Sequence, residues 1–162
     1  GFDPPRTTYY IGQTYQSLGQ TKLARRWYLE RTAMGGYEEE VFNAAYRAAL
    51  LAPWPQQAVE LMAAWERRPT RLEPIHALVA ELNRRDMHHA AYALLADLNL
   101  AVPDDFMYVN ADVWLWGLPF QRAIAAWWVG KRDEARVLNE GLLANPDLPA
   151  HIREQVERNM AC

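Results

Sequence analysis

Four histidines, one cysteine, one adjacent aspartate pair and a double glycine are the residues of this chain whose types could support chemistry. A metal site would need His or carboxylate ligands at i and i+4 on one helix face, or an equivalent constellation. His88 and His89 are adjacent, so on a helix they point about 100° apart. His76 and His151 stand on other segments, and all four are expected at helix ends or on the surface. Cys162 is the last residue and has no base placed to activate it. Asp104-Asp105 reads as a turn. Gly35-Gly36 follows no strand and carries no Gly-x-Gly-x-x-Gly pattern, so it reads as a helix stop rather than a phosphate loop. Trp127-Trp128 could stack a sugar, but its place inside a repeat assigns at least one ring to the core. No catalytic residue, cofactor or metal is expected.

The elements that must position any site are helices. In the stretch from Thr8 to Gly36, Ile11, Gly12 and Tyr15 recur at helical spacing, Gly19 ends the run, and Ala24 and Tyr28 mark the apolar face of a second helix. Small residues (Gly12, Ala24) let two backbones approach, and large ones (Tyr15, Tyr28) fill the space around them. This is the pattern of a tetratricopeptide-like helical hairpin, about 34 residues long. Its marker alanines fall at Ala24, Ala58, Ala91 and Ala135, in steps of 34, 33 and 44 residues, so the last step holds an insertion. Gly19, Asp86 and Gly130 stand five residues before their alanines, and Pro53 takes that place before Ala58.

The expected fold is all-α: a tetratricopeptide-like α-α superhelix of about four helix pairs plus a C-terminal capping helix. Residues 1–6, with Asp3-Pro4-Pro5, read as a linker remnant of a longer protein, and 7–160 as a single helical-repeat domain. The repeats cover about 5–38, 39–71, 72–105 and 116–148, with the insertion at 106–115 and the capping helix at 149–160. Glu38-Glu39-Glu40 opens the third helix, where the macrodipole favours negative charge. Thr70 to Glu73 has capping-box spacing. Phe106 to Trp116 is apolar enough to be a helix start or a strand-like segment; a helical turn leading into the seventh helix, with Gly117-Leu118-Pro119 as a break, is the favoured reading.

Repeat phase then places polar side chains on the first helix of each pair, which lines a concave groove in such folds. They are Tyr9 and Gln13 from the first unit, Asn43 and Arg47 from the second, and His76, Asn83 and Arg84 from the third. Amide and guanidinium groups there suit a peptide segment, a carboxylate or a hydroxyl-rich glycan acceptor; the bland alternative is a solvated face. Asn43 resembles part of the carboxylate clamp of chaperone-binding repeats, but the clamp's lysines have no counterpart. Arg47 is expected to face solvent.

Composition narrows the partners. Of 162 residues, 51% are hydrophobic and 23% charged, a globular balance, and seven Trp with eight Tyr make aromatic helix seams. The net charge of −3 argues against a general nucleic-acid binder, which needs a basic face. No apolar run approaches the roughly 20 residues of a membrane span, and no signal peptide is visible. With one cysteine no internal disulfide can form, which fits a reducing, cytoplasmic setting. Self-association stays open.

A family resemblance enters on longer stretches. YYIGQTYQSLG, then ARRWYLERTAMGG with EEEVFNAAYRAALL, resembles the tetratricopeptide-like C-terminal tail of bacterial and viral family 2 glycosyltransferases. RPTRLEPIHALVAELNRRDMHHAAY and PDDFMYVNADVW are similar to the same tail, so the likeness covers Thr7 to Met160. Pro53-Trp54-Pro55 departs from the usual Gly-type turn, and Trp127-Trp128 stands where paired Tyr is more ordinary. The resemblance implies an upstream glycosyltransferase domain and a parent protein that transfers sugar from a nucleotide donor. That family's Asp-x-Asp motif and catalytic base lie upstream of the tail. No Asp-x-Asp occurs here, and no catalytic residue carries over. The function expected is a non-catalytic binding or scaffolding module that positions an acceptor, a partner or a second subunit; the alternative is a free-standing adaptor that binds a peptide in its groove.

Overall fold

The computed structural model describes residues 3–162. Gly1 and Phe2, the start of the segment read as a linker, lie outside the described residues. The fold is all-α, with nine α-helices and no strand among the described residues. The chain divides into two compact units: Gly1–Pro74 with Pro103–Val109, and Ile75–Val102 with Asn110–Cys162.

Unit 1 contains α1 (Pro4–Ser17), α2 (Thr21–Met34), α3 (Glu38–Leu50) and α4 (Gln56–Arg67), each packed on the next in sequence. α1 starts earlier than its apolar periodicity marks. Asp3 caps it by accepting the Arg6 N–H at 3.3 Å, and Pro4 and Pro5 sit in the first turn, where a missing N–H costs nothing. α1, α2 and α3 share a core of Tyr9, Ala24, Tyr28, Ala44 and Ala48. Gly12 permits the close approach: a β-carbon there would stand 2.8 Å from Tyr28 Cε1. Arg31, buried in α2, ties the next joint. It donates to the Gly35 carbonyl and to Glu40 Oε1, both at 2.6 Å. Glu40 therefore pairs with a buried cation as well as lying in the first turn of α3.

α5 (Glu73–Arg84) begins in unit 1 and continues into unit 2. Unit 2 adds α6 (His88–Leu95), α7 (Leu118–Trp128), α8 (Arg132–Leu143) and α9 (Ala150–Met160); α6 packs on α7, α7 on α8 and α8 on α9. α9 closes a core of Phe120, Leu142, Leu148 and Val156. Arg153 on α9 donates to the carbonyls of Leu143 and Asn145 at 2.8 and 2.7 Å, satisfying the end of α8.

Three helix pairs share one turn. Gly19, Asp86 and Gly130 adopt positive φ of 73°, 60° and 88°. In each case the following N–H reaches back five residues: Gln20 to Tyr15, Met87 to Leu82 and Lys131 to Ala126, at 2.8–2.9 Å. This is the Schellman closure of a helix. The marker alanine is then the fourth residue of the second helix, and Ala24, Ala91 and Ala135 are all fully buried. Ala58 departs from the expected equivalence. The proline-bearing joint before α4 changes the phase, Ala58 is only half-buried, and Leu61 and Ala64 carry the buried stripe.

The expected helical turn leading from Phe106–Trp116 into the seventh helix is present, but it starts later than Phe106. Residues 96–110 form no helix, and Pro103–Val109 lies as a strap on unit 1. Helix resumes as a π-helical turn, Val113–Gly117, that runs directly into α7. Gly117-Leu118-Pro119 is therefore no break: Gly117 and Leu118 have helical dihedrals, and Pro119 occupies the first turn of α7.

Candidate functional site

The strap defines the surroundings of the most distinctive polar group in unit 1. Glu39 Oε1 accepts the N–H groups of Phe106 and Met107 at 2.7 and 3.1 Å. The Asn43 amide donates to the Met107 carbonyl at 3.3 Å, and Arg71 donates to that of Tyr108 at the same distance. Asp105 accepts two hydrogen bonds from Arg68, at 2.6 and 2.7 Å, and one from Arg71 at 3.2 Å. Arg71 is fully buried, pairs with Glu73 at 2.7 Å, and lies 4.8 Å above the Phe42 ring. The hydrogen bonds from Arg68 hold the Asp105 carboxyl below its ordinary range. Burial pushes Glu39 up, but the bonds from the Tyr37 hydroxyl and from the Met107 and Phe106 amides outweigh it, and its carboxyl is also depressed.

Held in this way, the strap presents Tyr108 to α1 and α3. The Arg47 guanidinium carbon lies 5.3 Å from the centroid of the Tyr108 ring, 5.9 Å from that of Tyr9 and 6.0 Å from that of Tyr28. Tyr9 and Tyr108 stack at 6.0 Å. Arg47 also donates to Gln16 Oε1 at 3.3 Å, an oxygen that accepts the Tyr28 hydroxyl at 2.6 Å. Arg47 is half-buried rather than solvent-facing, because the strap, invisible to repeat phase, supplies one of its walls.

Unit 1 has five buried or half-buried arginines: Arg25, Arg31, Arg47, Arg68 and Arg71. Four have a carboxylate within 4.0 Å; among the described residues Arg47 has none. Beside it, the Tyr9 hydroxyl is buried and makes no hydrogen bond among the described residues, and burial raises its pKa. A half-buried guanidinium without a counter-ion could hold an anionic or oxygen-rich group.

The remaining groove candidates fall as follows. Gln13 is half-buried one turn from Tyr9 on α1. Asn43 is buried and engaged with the Glu39 and Met107 carbonyls. His76, Asn83 and Arg84 belong to unit 2. Burial lowers the pKa of His76, whose Nε2 would stand 2.8 Å from a β-carbon on Gly117. Asn83 bridges the Gln121 carbonyl and side chain, at 3.1 and 2.9 Å, to His88 Nδ1 at 2.9 Å. Arg84 is exposed and pairs with Glu81.

Sequence reasoning missed Gln16, Tyr28 and Tyr108 as companions of Arg47. The i, i+12 spacing of Gln16 and Tyr28 across the Gly19 turn could have indicated the first two; Tyr108 had no local signal. Of the chemical candidates, Trp127 is half-buried with the Arg132 guanidinium 4.3 Å from its ring centroid, while Trp128 is exposed and stacks on His88 at 5.3 Å. Among the described residues no group of three or more His, Cys, Asp and Glu is placed to hold a metal ion, and no helix is long and apolar enough to cross a membrane.

No family model matches the chain, and neither a curated protein nor a solved structure matches it. The functional reading therefore rests on its own residues.

Proposed function

We propose that this protein is a non-catalytic, tetratricopeptide-like binding and scaffolding module that holds an anionic or hydroxyl-rich group of an extended ligand at Arg47. The observation that carries this reading is the half-buried guanidinium, walled by Tyr9, Tyr28 and Tyr108 and lacking a carboxylate where the comparable arginines of its unit each have one. Its rings offer flat apolar surface and its N–H groups offer charge-assisted bonds, a combination suited to sugars and to acidic peptide segments alike.

Within that reading, the chain is the C-terminal tail of a family 2 glycosyltransferase, and its ligand is the acceptor glycan or a partner of the parent enzyme. What supports this is the likeness of the Tyr9–Gly19, Ala24–Gly36 and Pro103–Trp114 stretches, together with the shared turn at Gly19, Asp86 and Gly130. The rival is an adaptor that binds a peptide carboxylate. A cytoplasmic setting belongs to both.

An NMR titration separates them. The labelled protein is mixed with a uronic-acid oligosaccharide or with an Asp/Glu-rich decapeptide, and the Arg47 Nε–H resonance is followed. Saturable shifts with the oligosaccharide, abolished in Arg47→Gln, support the glycosyltransferase tail. Saturation with the peptide supports the adaptor. If neither probe moves Arg47, this face is only solvated.

A further inference from the structure

The most exposed large apolar side chain among the described residues stands on a firmly held backbone. Phe106 is 92% exposed. Its own N–H is bonded to Glu39 Oε1 at 2.7 Å, and Arg68 fixes the preceding Asp105 at 2.6 Å. The hydroxyl of Tyr37, a second exposed ring, bonds the other oxygen of the same Glu39 carboxylate at 2.6 Å. A phenyl ring on a fixed backbone has little freedom left to lose when a partner covers it, which is how interface anchors act. The charge beside it is acidic. Asp104, two residues before, is exposed, and the Glu38 side chain is 88% exposed. Arg68 lies 3.6 Å from Glu38 but is engaged by both oxygens of Asp105.

Unit 2 carries the complementary feature. A cleft between α7, α8 and α9 encloses about 660 Å³. Its apolar walls are Phe120, Ile124, Trp127, Trp128 and Ile152, and His151 stands among its polar residues. Trp127, Asn139 and Asn159 also border an adjoining space of about 230 Å³, whose charged side chains are Arg132, Asp133 and Arg136. Asp133 is 3.4 Å from Arg136. Arg132 lies 4.3 Å over the Trp127 ring and makes no ion pair among the described residues. The cleft is therefore apolar inside, with a surplus of positive charge at one side.

We propose that Phe106 of one copy of this chain docks in the α7–α9 cleft of a second copy. The phenyl ring packs among Phe120, Trp127 and Trp128, and Asp104 and Glu38 face the side that carries Arg132 and Arg136. Charge complementarity selects this occupant and its orientation. The contact is head-to-tail, so each copy keeps one ring and one cleft to offer, and assembly continues into rings or filaments. A single anchor on a small area gives an affinity of about micromolar or weaker. Arg47 takes no part in the contact, so the failure of one proposal leaves the other standing.

Analytical ultracentrifugation over a concentration series tests the contact. The average mass of the parent should rise with concentration, and added salt should oppose the rise. Phe106→Ala keeps the N–H that Glu39 accepts and should weaken association about thirtyfold. Trp128→Glu, at a position 64% exposed, removes one wall of the cleft and sets a negative charge against the acidic strap. Both changes are at exposed side chains, and thermal unfolding followed by circular dichroism should show both variants folded. Each variant alone should stay monomeric. Mixed, the intact cleft of the first should take the intact Phe106 of the second, and assembly should stop at a one-to-one dimer. A parent that stays monomeric at millimolar concentration would overturn the proposal, as would a mixture that stays monomeric. Association lost in Trp128→Glu but kept in Phe106→Ala would assign the cleft another occupant and overturn it too.

Discussion

The carboxylate of Glu39 accepts the backbone N–H of Phe106 at 2.7 Å, across 67 residues of sequence. That bond makes a loop segment part of the helical unit it crosses. Glu39→Ala removes the acceptor for two strap amides and for the Tyr37 hydroxyl. The expected loss is about 1–3 kcal/mol. Hydrogen exchange at Phe106 and Met107 should accelerate while α1 and α2 keep their protection. Unchanged exchange at both amides would show that the strap is held without Glu39.

Acid should loosen the same strap. Glu39 and Asp105 both have carboxyls depressed below their ordinary values of 4.5 and 3.8. A depressed folded pKa means that the unfolded chain binds the proton more readily, so stability rises with pH. Their contribution is complete above about pH 5 and is lost as the pH falls through the two depressed values. Asp105→Asn should flatten the acid limb of a stability-against-pH curve measured by urea unfolding. An acid limb identical to that of the parent would place the sensitivity elsewhere.

Gly12→Ala tests the α1–α2 approach. Alanine favours the helix by about 0.5–1 kcal/mol over glycine, but its β-carbon would overlap the Tyr28 ring, which is fully buried and hydrogen-bonded to Gln16. Overpacking of this kind costs about 1–3 kcal/mol, so the net change should be destabilising. Gly141 is the control: a β-carbon there would meet nothing within 4 Å, and Gly141→Ala should stabilise.

Arg47 is expected to matter for stability as well as for binding. Its three tyrosine contacts are each worth about 0.5–1 kcal/mol at a partly exposed site. Arg47→Gln should therefore lower the midpoint of thermal unfolding modestly and abolish anion binding. Arg47→Lys keeps the charge and should keep part of the affinity. A glutamine variant with parental stability and parental ligand affinity would remove Arg47 from both roles.

Ala91→Trp should be among the most damaging single changes in unit 2, because Ala91 is fully buried on α6 at the position shared with Ala24 and Ala135. The equivalent change at half-buried Ala58 should cost less. Equal losses at both positions in denaturant unfolding would contradict the phase shift seen at α4.

The parts of the fold legible in the sequence are those whose cause is local. Glycine or aspartate at positive φ, followed by a small buried residue, marks a turn wherever it occurs, and the three matching joints were readable from Gly19, Asp86 and Gly130. The joint at Pro53-Trp54-Pro55 obeys other steric rules, so the marker arithmetic slipped at Ala58. The strap was illegible because its partners lie 34 to 68 residues away, on Glu39, Asn43, Arg68 and Arg71. For the same reason Glu39 and Glu40 read only as helix-opening charge, although they serve as buried acceptors. Phe106 read as part of an apolar lead-in to the seventh helix, and nothing local showed that the strap's distant partners leave its ring exposed.

The strap has a consequence for the order in which the protein can be made. Unit 1 takes its helices from the first 74 residues but finishes with Pro103–Val109. A ribosome that has delivered only residues 1–74 has produced Arg68 and Arg71 without the Asp105 that faces them both. Arg71 then has Glu73 at 2.7 Å and Arg68 has Glu38 at 3.6 Å, but neither gains its bonds to Asp105 until the intervening residues of unit 2 have emerged. Vectorial synthesis therefore cannot complete the first unit before starting the second, and a fragment ending at Pro74 would lack the strap's bonds to Glu39, Asn43, Arg68 and Arg71.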